Sequence, residues 1–346
     1  LPMSHARPVN TLAISSDNGR LVSGSDDRTV RVWSLRHNAV TSASASQPLV
    51  VRSESRVTAV AFSSDGTTLA VGHQDHTVRL RDGHNPRHRI SKEPNYPEAI
   101  TSIVFAADNR TVISSTHEAV VYWNAQNHEA PRALKGHRKW VNCVDWSADG
   151  RFFASGDDEG LTIVWDAHKV AYAKTLRGNS KVTAVAFSPD GRVIAIGSEN
   201  GEVRLWDVVE ARCLWTFRAD ERKVSVITFL RDGTGSTLAV GGGKDGLIRI
   251  LDTATGTVLR SLVGHGDDVL CLVYSPNLRW LASGGADCCV RLWLADDGAL
   301  RACFPHEDPI KALWFSASSS SVHVADDGGP THVPTVNILE IANPTG

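Results

Sequence analysis

No apolar run in this chain approaches the roughly 18 residues a membrane-crossing helix needs. Neither charge is in excess, with 36 basic residues against 38 acidic ones and a formal net charge of −2. So weak a global field favours neither nucleic acid nor an anionic membrane surface, and neither is expected as a partner. Six cysteines are present, Cys143, Cys213, Cys271, Cys288, Cys289 and Cys303, but none forms the CxxC pair that a zinc site of defined spacing uses. Reduced thiols in a cytoplasmic protein are the expectation, with the nucleus as the alternative compartment. The vicinal pair Cys288-Cys289 keeps a disulfide or redox switch open beside it. The opening residues LPMSHARPVN lack the basic and apolar segments of a signal peptide. Position 1 is not Met, so the chain is expected to begin inside a longer one.

Motifs for chemistry are also missing. There is no GxxxxGK[ST], no HExxH, no nucleophile elbow and no His/Cys cluster at metal spacing. The 14 histidines are scattered, and the one local group, His73, His76, His84 and His88, reads as a polar loop more readily than as a metal site. No catalytic residue, metal or cofactor is therefore assigned, and the chain is not expected to be an enzyme.

What is abundant is repetition. The stretch Lys181–Asp207, KVTAVAFSPDGRVIAIGSENGEVRLWD, holds two apolar alternations, a Ser-Pro-Asp-Gly turn, a second turn at Glu199-Asn200-Gly201 and a closing Trp206-Asp207. Period-2 alternation between tight turns predicts three short strands. The pattern recurs in eight copies, ending near Trp33, Arg81, Trp123, Trp165, Trp206, Leu251, Trp293 and Leu339. Their spacings are 48, 42, 42, 41, 45, 42 and 46. Runs such as PLVV, RALKG, AKTLRG and VLRSLVG between the copies supply a fourth strand, giving a four-stranded antiparallel sheet per unit. Such a sheet cannot bury both faces alone, so units must stack, and a period in the low forties with four strands is the signature of a radial array. The low-complexity segments Thr41–Ser46 and Ser316–Ser321 read as surface loops, and Gly83–Pro97 as a protruding connection.

Trp165-Asp166, Trp206-Asp207 and the pairs Gly136-His137 and Gly264-His265 resemble the WD-repeat β-propeller family, over nearly the whole chain. The expected fold is all-β, one propeller domain over residues 1–346. Eight four-stranded blades are expected, the alternative being seven plus a degenerate C-terminal unit. The last copy carries an insertion around Asp326–Pro334, and His306 still lies four residues before Ile310, as His5 does before Val9. The resemblance implies a hydrogen-bonded tetrad within a blade. In the first copy it falls on His5, Ser23, Asp27 and Trp33, and in the seventh on His265, Ser283, Asp287 and Trp293. The fourth keeps His137, Ser155 and Trp165, with Glu159 at the turn position and Asp158 beside it. A buried His–Asp pair of this kind pins a turn. Copies that lack a member must rely on packing, and Trp206 is expected to be buried.

The resemblance also implies that partners bind the face carrying the turns that open the first strand and join the second to the third. Falling there are Arg56, Lys181, Lys223, Asp268 and Lys311 before or within the first strand, with Asn142 inside it. Asp26, Asp158 and Glu199 precede the turn acid or its substitute. A mixed ring of this sort suits a peptide or protein better than a nucleic-acid backbone. Trp140 departs from the polar pattern and reads as a binding anchor, or else as packing beneath a neighbouring loop. The expected function is a non-catalytic scaffold that binds a protein or peptide on the face around Trp140 and the central-channel rim. It would form the sensor or interaction part of a larger signalling protein. A lectin-like binder of small ligands or glycans is the alternative, disfavoured because Trp140 has no counterpart in other copies.

Overall fold

The computed structural model describes residues 5–15, 20–34, 48–63, 65–88, 99–106, 108–124, 131–219, 222–232, 234–315, 319, 321–326 and 336–337. The low-complexity segment 41–46 and the last repeat end at Leu339 lie outside the described residues. Every described element is a β-strand, and the strands form eight antiparallel sheets, each built from strands consecutive in the chain. Six sheets are four-stranded and two three-stranded among the described residues. The first strands of the sheets, in order, are Val9–Ile14, Val57–Phe62, Ser102–Phe105, Val141–Trp146, Val182–Phe187, Val224–Phe229, Val269–Tyr274 and Ile310–Phe315. The chain divides into two compact units with a boundary between Val141 and Asn142. The first three sheets belong to the first unit and the fifth to eighth to the second.

The expected fourth strands appear as Leu49–Arg52, Arg132–Lys135, Ala171–Arg177, Arg212–Arg218, Val258–Leu262 and Leu300–Pro305. Among the described residues the second sheet has three strands, Val57–Phe62, Thr68–His73 and Val78–Asp82. Its chain is turned aside at once: Asp82 Oδ1 accepts the amides of His84 and Asn85, and the Arg81 guanidinium donates to the Pro86 carbonyl at 2.9 Å. The eighth sheet has a two-residue third strand, Val336–Asn337.

Burial follows position in the sheet. Second strands are buried on both faces, as in Val193–Ser198, whereas the fourth strand Arg212–Arg218 alternates exposed and half-buried residues. In the first unit Val22, Val30, Val57 and Leu69 close the space between the first two sheets, and Leu80, Ile100, Ile103 and Trp123 that between the second and third. In the second unit Leu205, Val224, Leu238 and Leu251 do so between the fifth and sixth sheets. Leu292, Ile310 and Val322 do so between the seventh and eighth. Each such filling removes apolar surface from water at about 25 cal/mol per Å², which is why single sheets of this kind do not stand alone.

The Ser-x-Asp-Gly turns explain their own spelling. In the fifth sheet Ser188 Oγ donates to Asp190 Oδ1 at 2.6 Å and accepts the Val193 amide at 3.1 Å, while Asp190 Oδ1 takes the Arg192 amide at 3.0 Å. Gly191 adopts φ +69°, the left-handed region that glycine enters without a Cβ penalty. Ser63-Asp65 and Ser147-Asp149 repeat the bonds.

Candidate functional site

The turns opening the first strands and those joining second to third strands lie at one end of each antiparallel sheet, and all the predicted site residues are there. How they are aimed is set by a register irregularity. Between Val9 and Thr11, and between Val182 and Ala184, the first strand slips against the second, leaving Asn10 and Thr183 as bulge residues. A bulge re-aims its side chain. Asn10 Nδ2 donates to the Val57 carbonyl of the next sheet at 2.9 Å, and Thr183 Oγ1 to the Val224 carbonyl at 2.5 Å. Asn142 Nδ2 bonds the Val182 carbonyl at 3.1 Å in the same way, and Thr101 Oγ1 the Val141 carbonyl at 3.0 Å. Asn142 thus holds two sheets together rather than facing solvent as a free donor.

Much of the predicted charge is also engaged within the protein. In the first unit Asp26 accepts Asn10 Nδ2 at 2.8 Å and stands 3.6 Å from the half-exposed Arg56 guanidinium. In the second, Asp158 accepts Asn142 Nδ2 at 2.8 Å and pairs with Lys181 Nζ at 2.9 Å. Glu199 is exposed, and its amide donates to the Lys181 carbonyl at 2.9 Å. Lys223 and Lys311 are exposed. Asp268 is half-buried; its carbonyl accepts the Ala286 amide at 2.8 Å, and its Oδ1 is buried without a hydrogen-bond partner among the described residues.

Trp140 is different. It is 47% exposed, on the connection between Arg132–Lys135 and Val141–Trp146. The His117 ring of the third sheet's tight turn meets it edge-on, with centroids 4.3 Å apart and planes at 75°. His117 in turn lies 3.8 Å from the Glu118 carboxylate. Arg138 and Lys139 beside the indole are exposed. The ring meets His117 edge-on and keeps about half its surface open.

The tetrad residues form buried networks. His5 Nε2 and Ser23 Oγ are 2.7 Å apart, and His5 Nδ1 and Asp27 Oδ2 2.9 Å. Trp33 lies in the strand Thr29–Ser34, with its side chain outside the described part. In the seventh sheet the distances from His265 to Ser283 and Asp287 are again 2.7 and 2.9 Å, and the Trp293 indole N–H donates to Ser283 Oγ at 2.8 Å. Burial holds both imidazoles below their ordinary pKa, against the partly opposing pull of the aspartates. In the second unit Trp165 donates to Ser155 Oγ at 2.9 Å. His137 is buried in the first unit. In the turn of the fourth sheet buried Asp157 Oδ1 accepts the amides of Glu159 and Leu161 at 3.0 and 2.9 Å. Trp206 is only half-buried, against expectation, and Ile196 stands at the position from which Ser155 and Ser283 receive the indole N–H in the fourth and seventh sheets.

Other polar devices were not anticipated. Third strands carry arginines at Arg79, Arg249 and Arg291 that fold back onto the turn acid four residues earlier. The Arg291–Asp287 pair is 2.7 Å long and almost fully buried, and Arg249–Asp245 is 2.6 Å. The repeated V/I-R-L/I spelling of these third strands was the available signal. In the second sheet Ser53, four residues before Val57, meets His73 Nε2 at 3.0 Å, and His73 stands in register with Ser25 of the first sheet, two residues beyond the tetrad serine position. Burial, with Arg79 nearby, lowers His73 to about 4.

The histidine group His73, His76, His84 and His88 is not gathered: His73 is fully buried, His84 is largely exposed beside Asp82, and no three potential metal-ligating side chains converge among the described residues. All six cysteines are free thiols, and burial pushes Cys143 and Cys271 up to about 12.

Residues 2–165 match the family described as Nucleolar protein 10-like, N-terminal domain. Residues 163–232 match the Anaphase-promoting complex subunit 4 WD40 domain, and residues 256–293 the WD domain, G-beta repeat. The chain is 24% identical over 349 residues to Nuclear distribution protein PAC1 of Arthroderma otae, covering 94% of this chain and 68% of that protein. It is 24% identical to the protein of the same description from Arthroderma benhamiae, covering 85% of this chain and 60% of that protein. The chain therefore spans about two thirds or less of the curated relatives it matches. Among solved structures, the computationally designed Ika8 protein superposes with a TM-score of 0.79 at 24% identity, covering 94% of this chain and 96% of that one. That likeness concerns the fold.

Proposed function

Because the chain belongs to the WD-repeat β-propeller family, we propose that it is a non-catalytic platform that binds a protein or peptide partner through the face bearing Trp140. The eight sheets are read as eight blades of one propeller domain over residues 1–346. The observation that carries the reading is the indole of Trp140, 47% exposed and braced edge-on by His117. A Trp held in one orientation before binding loses little side-chain entropy on contact, and Trp is among the residues enriched at binding hot spots. At the corresponding end of the first two sheets, the Arg56–Asp26 pair adds charge that would set orientation more than affinity. Propellers of this family generally serve as protein-interaction scaffolds, which supports the same conclusion.

The test compares the wild-type chain with Trp140→Ala and Arg56→Ala as baits, quantifying each co-purified protein. Trp140→Ala should remove specific partners, and Arg56→Ala should weaken them less. An unchanged partner set with Trp140→Ala would sink this assignment of the face.

A further inference from the structure

The vicinal cysteines of the seventh sheet are turned to different neighbours. Cys288 sits in the turn at φ +58°, its carbonyl accepting the His306 amide at 2.7 Å and its thiol donating to the Ala286 carbonyl at 3.7 Å. Cys289 opens the third strand, Cys289–Leu294, where successive side chains point to opposite faces. Its neighbour is Cys303, on the fourth strand, Leu300–Pro305.

The register brings these two together. Cys289 pairs with Pro305 and Arg291 with Cys303, so the cysteines share one face as diagonal neighbours. The bond from His306 to Cys288 marks that pair as hydrogen-bonded. Cys289–Pro305 and Arg291–Cys303 are therefore pairs of the other kind, whose side chains approach more closely. Diagonal neighbours interact across antiparallel strands, and here the two thiols meet closely enough to hydrogen-bond. Cys303 is exposed and Cys289 half-buried. Burial, with the Cys303 thiol beside it, pushes the Cys289 thiol up. Cys143 and Cys213 have no second cysteine in their sheets, and Cys271 lies on the first strand of the seventh, two strands from Cys289.

We propose that Cys289 and Cys303 are a redox-reversible pair, which a hydroperoxide oxidises to a disulfide across the third and fourth strands. The exposed Cys303 reacts first. Its thiolate attacks a peroxide oxygen, forming an S–O bond as the O–O bond breaks and hydroxide leaves, to be protonated to water. Cys289 gives its proton to solvent and attacks the Cys303 sulfur. The S–S bond forms, the S–O bond breaks, and the departing hydroxide takes up a proton as a second water. Two electrons pass from the thiols to the peroxide, and a dithiol reductant reverses the step by exchange. A disulfide holds its Cβ atoms about 3.8 Å apart. Leu300–Pro305 lies at the edge of its sheet, so closing that distance moves an edge strand and not the core. The bond clamps the strand next to the turn of Asp287, whose Oδ1 accepts the Cys289 amide at 3.2 Å. The pair is independent of the Trp140 reading.

The experiment treats the reduced protein with hydrogen peroxide, blocks the remaining thiols with iodoacetamide and maps unreduced peptides by mass spectrometry. A peptide linked through Cys289 and Cys303 is expected, with two fewer alkylated thiols than in the untreated protein, and dithiothreitol should restore both. Cys288→Ser should keep the link, whereas Cys289→Ser and Cys303→Ser should lose it. In Cys289→Ser the peroxide should leave Cys303 as a sulfenic acid that dimedone labels. Since Cys303 is exposed, Cys303→Ser should melt with the reduced wild type, so that its lost link is not a lost fold. A link between Cys288 and Cys289, a link between two chains in place of the one described, or full alkylation of Cys289 and Cys303 after peroxide would each overturn the proposal.

Discussion

Gly197 in the fifth sheet lies so close beneath Val224 of the sixth that a Cβ on it would come within 2.7 Å of the valine Cγ1 and 2.8 Å of Ile227 Cδ1. The same glycine recurs at Gly241, under Val269 at 2.8 Å. The glycine of the repeated second strand is thus a spacing requirement between sheets. Gly197→Ala should destabilise the protein by about 1–3 kcal/mol through overpacking, read as a lower denaturant midpoint at unchanged slope. A change below about 0.5 kcal/mol would mean the sheets separate freely.

Trp165 and Trp206 occupy equivalent positions with unequal surroundings. Trp165 is 2% exposed and bonded to Ser155, whereas Trp206 is half-buried. Trp165→Ala should cost about 3–5 kcal/mol, and Trp206→Ala clearly less. Ser155→Ala, which leaves a buried indole N–H unsatisfied, should cost about 1–3 kcal/mol. Urea titrations of the three variants give the ranking, and equal losses at both tryptophans would refute it.

Two buried groups pull stability in opposite directions with pH. His73 is lowered from 6.5 to about 4, so the folded chain binds fewer protons there, and its contribution is complete above about pH 6.5 and lost as pH falls toward 4. Burial raises Asp145 from 3.8 to about 6, despite the Phe187 amide donating to it at 2.8 Å. Its folded form binds protons more tightly, so its contribution is present near pH 4 and lost as pH rises to 6. In Asp145→Asn only the histidine component of this pair remains, and stability should rise more steeply with pH across that window than in the wild type. Parallel pH profiles for the two proteins would rule out a strained carboxylate at this position.

Asp287 holds a buried arginine and a buried histidine, whereas Asp245 holds a more exposed Arg249. Asp287→Asn strands an uncompensated guanidinium and should cost about 3–5 kcal/mol, against under about 1 for Asp245→Asn. Differential scanning calorimetry of the two variants decides whether the ordering holds.

His117→Ala removes the brace from Trp140 without touching the indole. Partner affinity should fall, yet by less than the loss of about 2 kcal/mol or more expected for Trp140→Ala if the indole is a hot spot. Titration of an isolated partner against both variants gives the comparison, and an equal loss would make His117 a contact in its own right.

The sheets were legible in the sequence because alternation, Ser-x-Asp-Gly turns and the closing Trp each follow from a backbone requirement that repeats. The networks at His5 and His265 were legible for the same reason, since their four members sit at fixed offsets. Asp157 was not, because it acts two positions before the place where the repeat puts its turn acid. Nor was the Ser53–His73 bond, because His73 stands two positions beyond the place where the repeat puts its serine. Asn142 read as a partner-binding residue because nothing in its spelling shows that its amide bonds the adjoining sheet at Val182.

The bonds made by the second residue of the first strand reach from one sheet to the next in a single direction. Asn142 reaches forward to Val182, and Thr183 forward to Val224. In both, the donor belongs to the sheet made earlier and the carbonyl to the sheet made later. As a ribosome releases the second unit, each finished sheet presents its hook before the strand that will hang on it has left the exit tunnel. Assembly can therefore keep pace with synthesis, each completed sheet being the template on which the following one is caught.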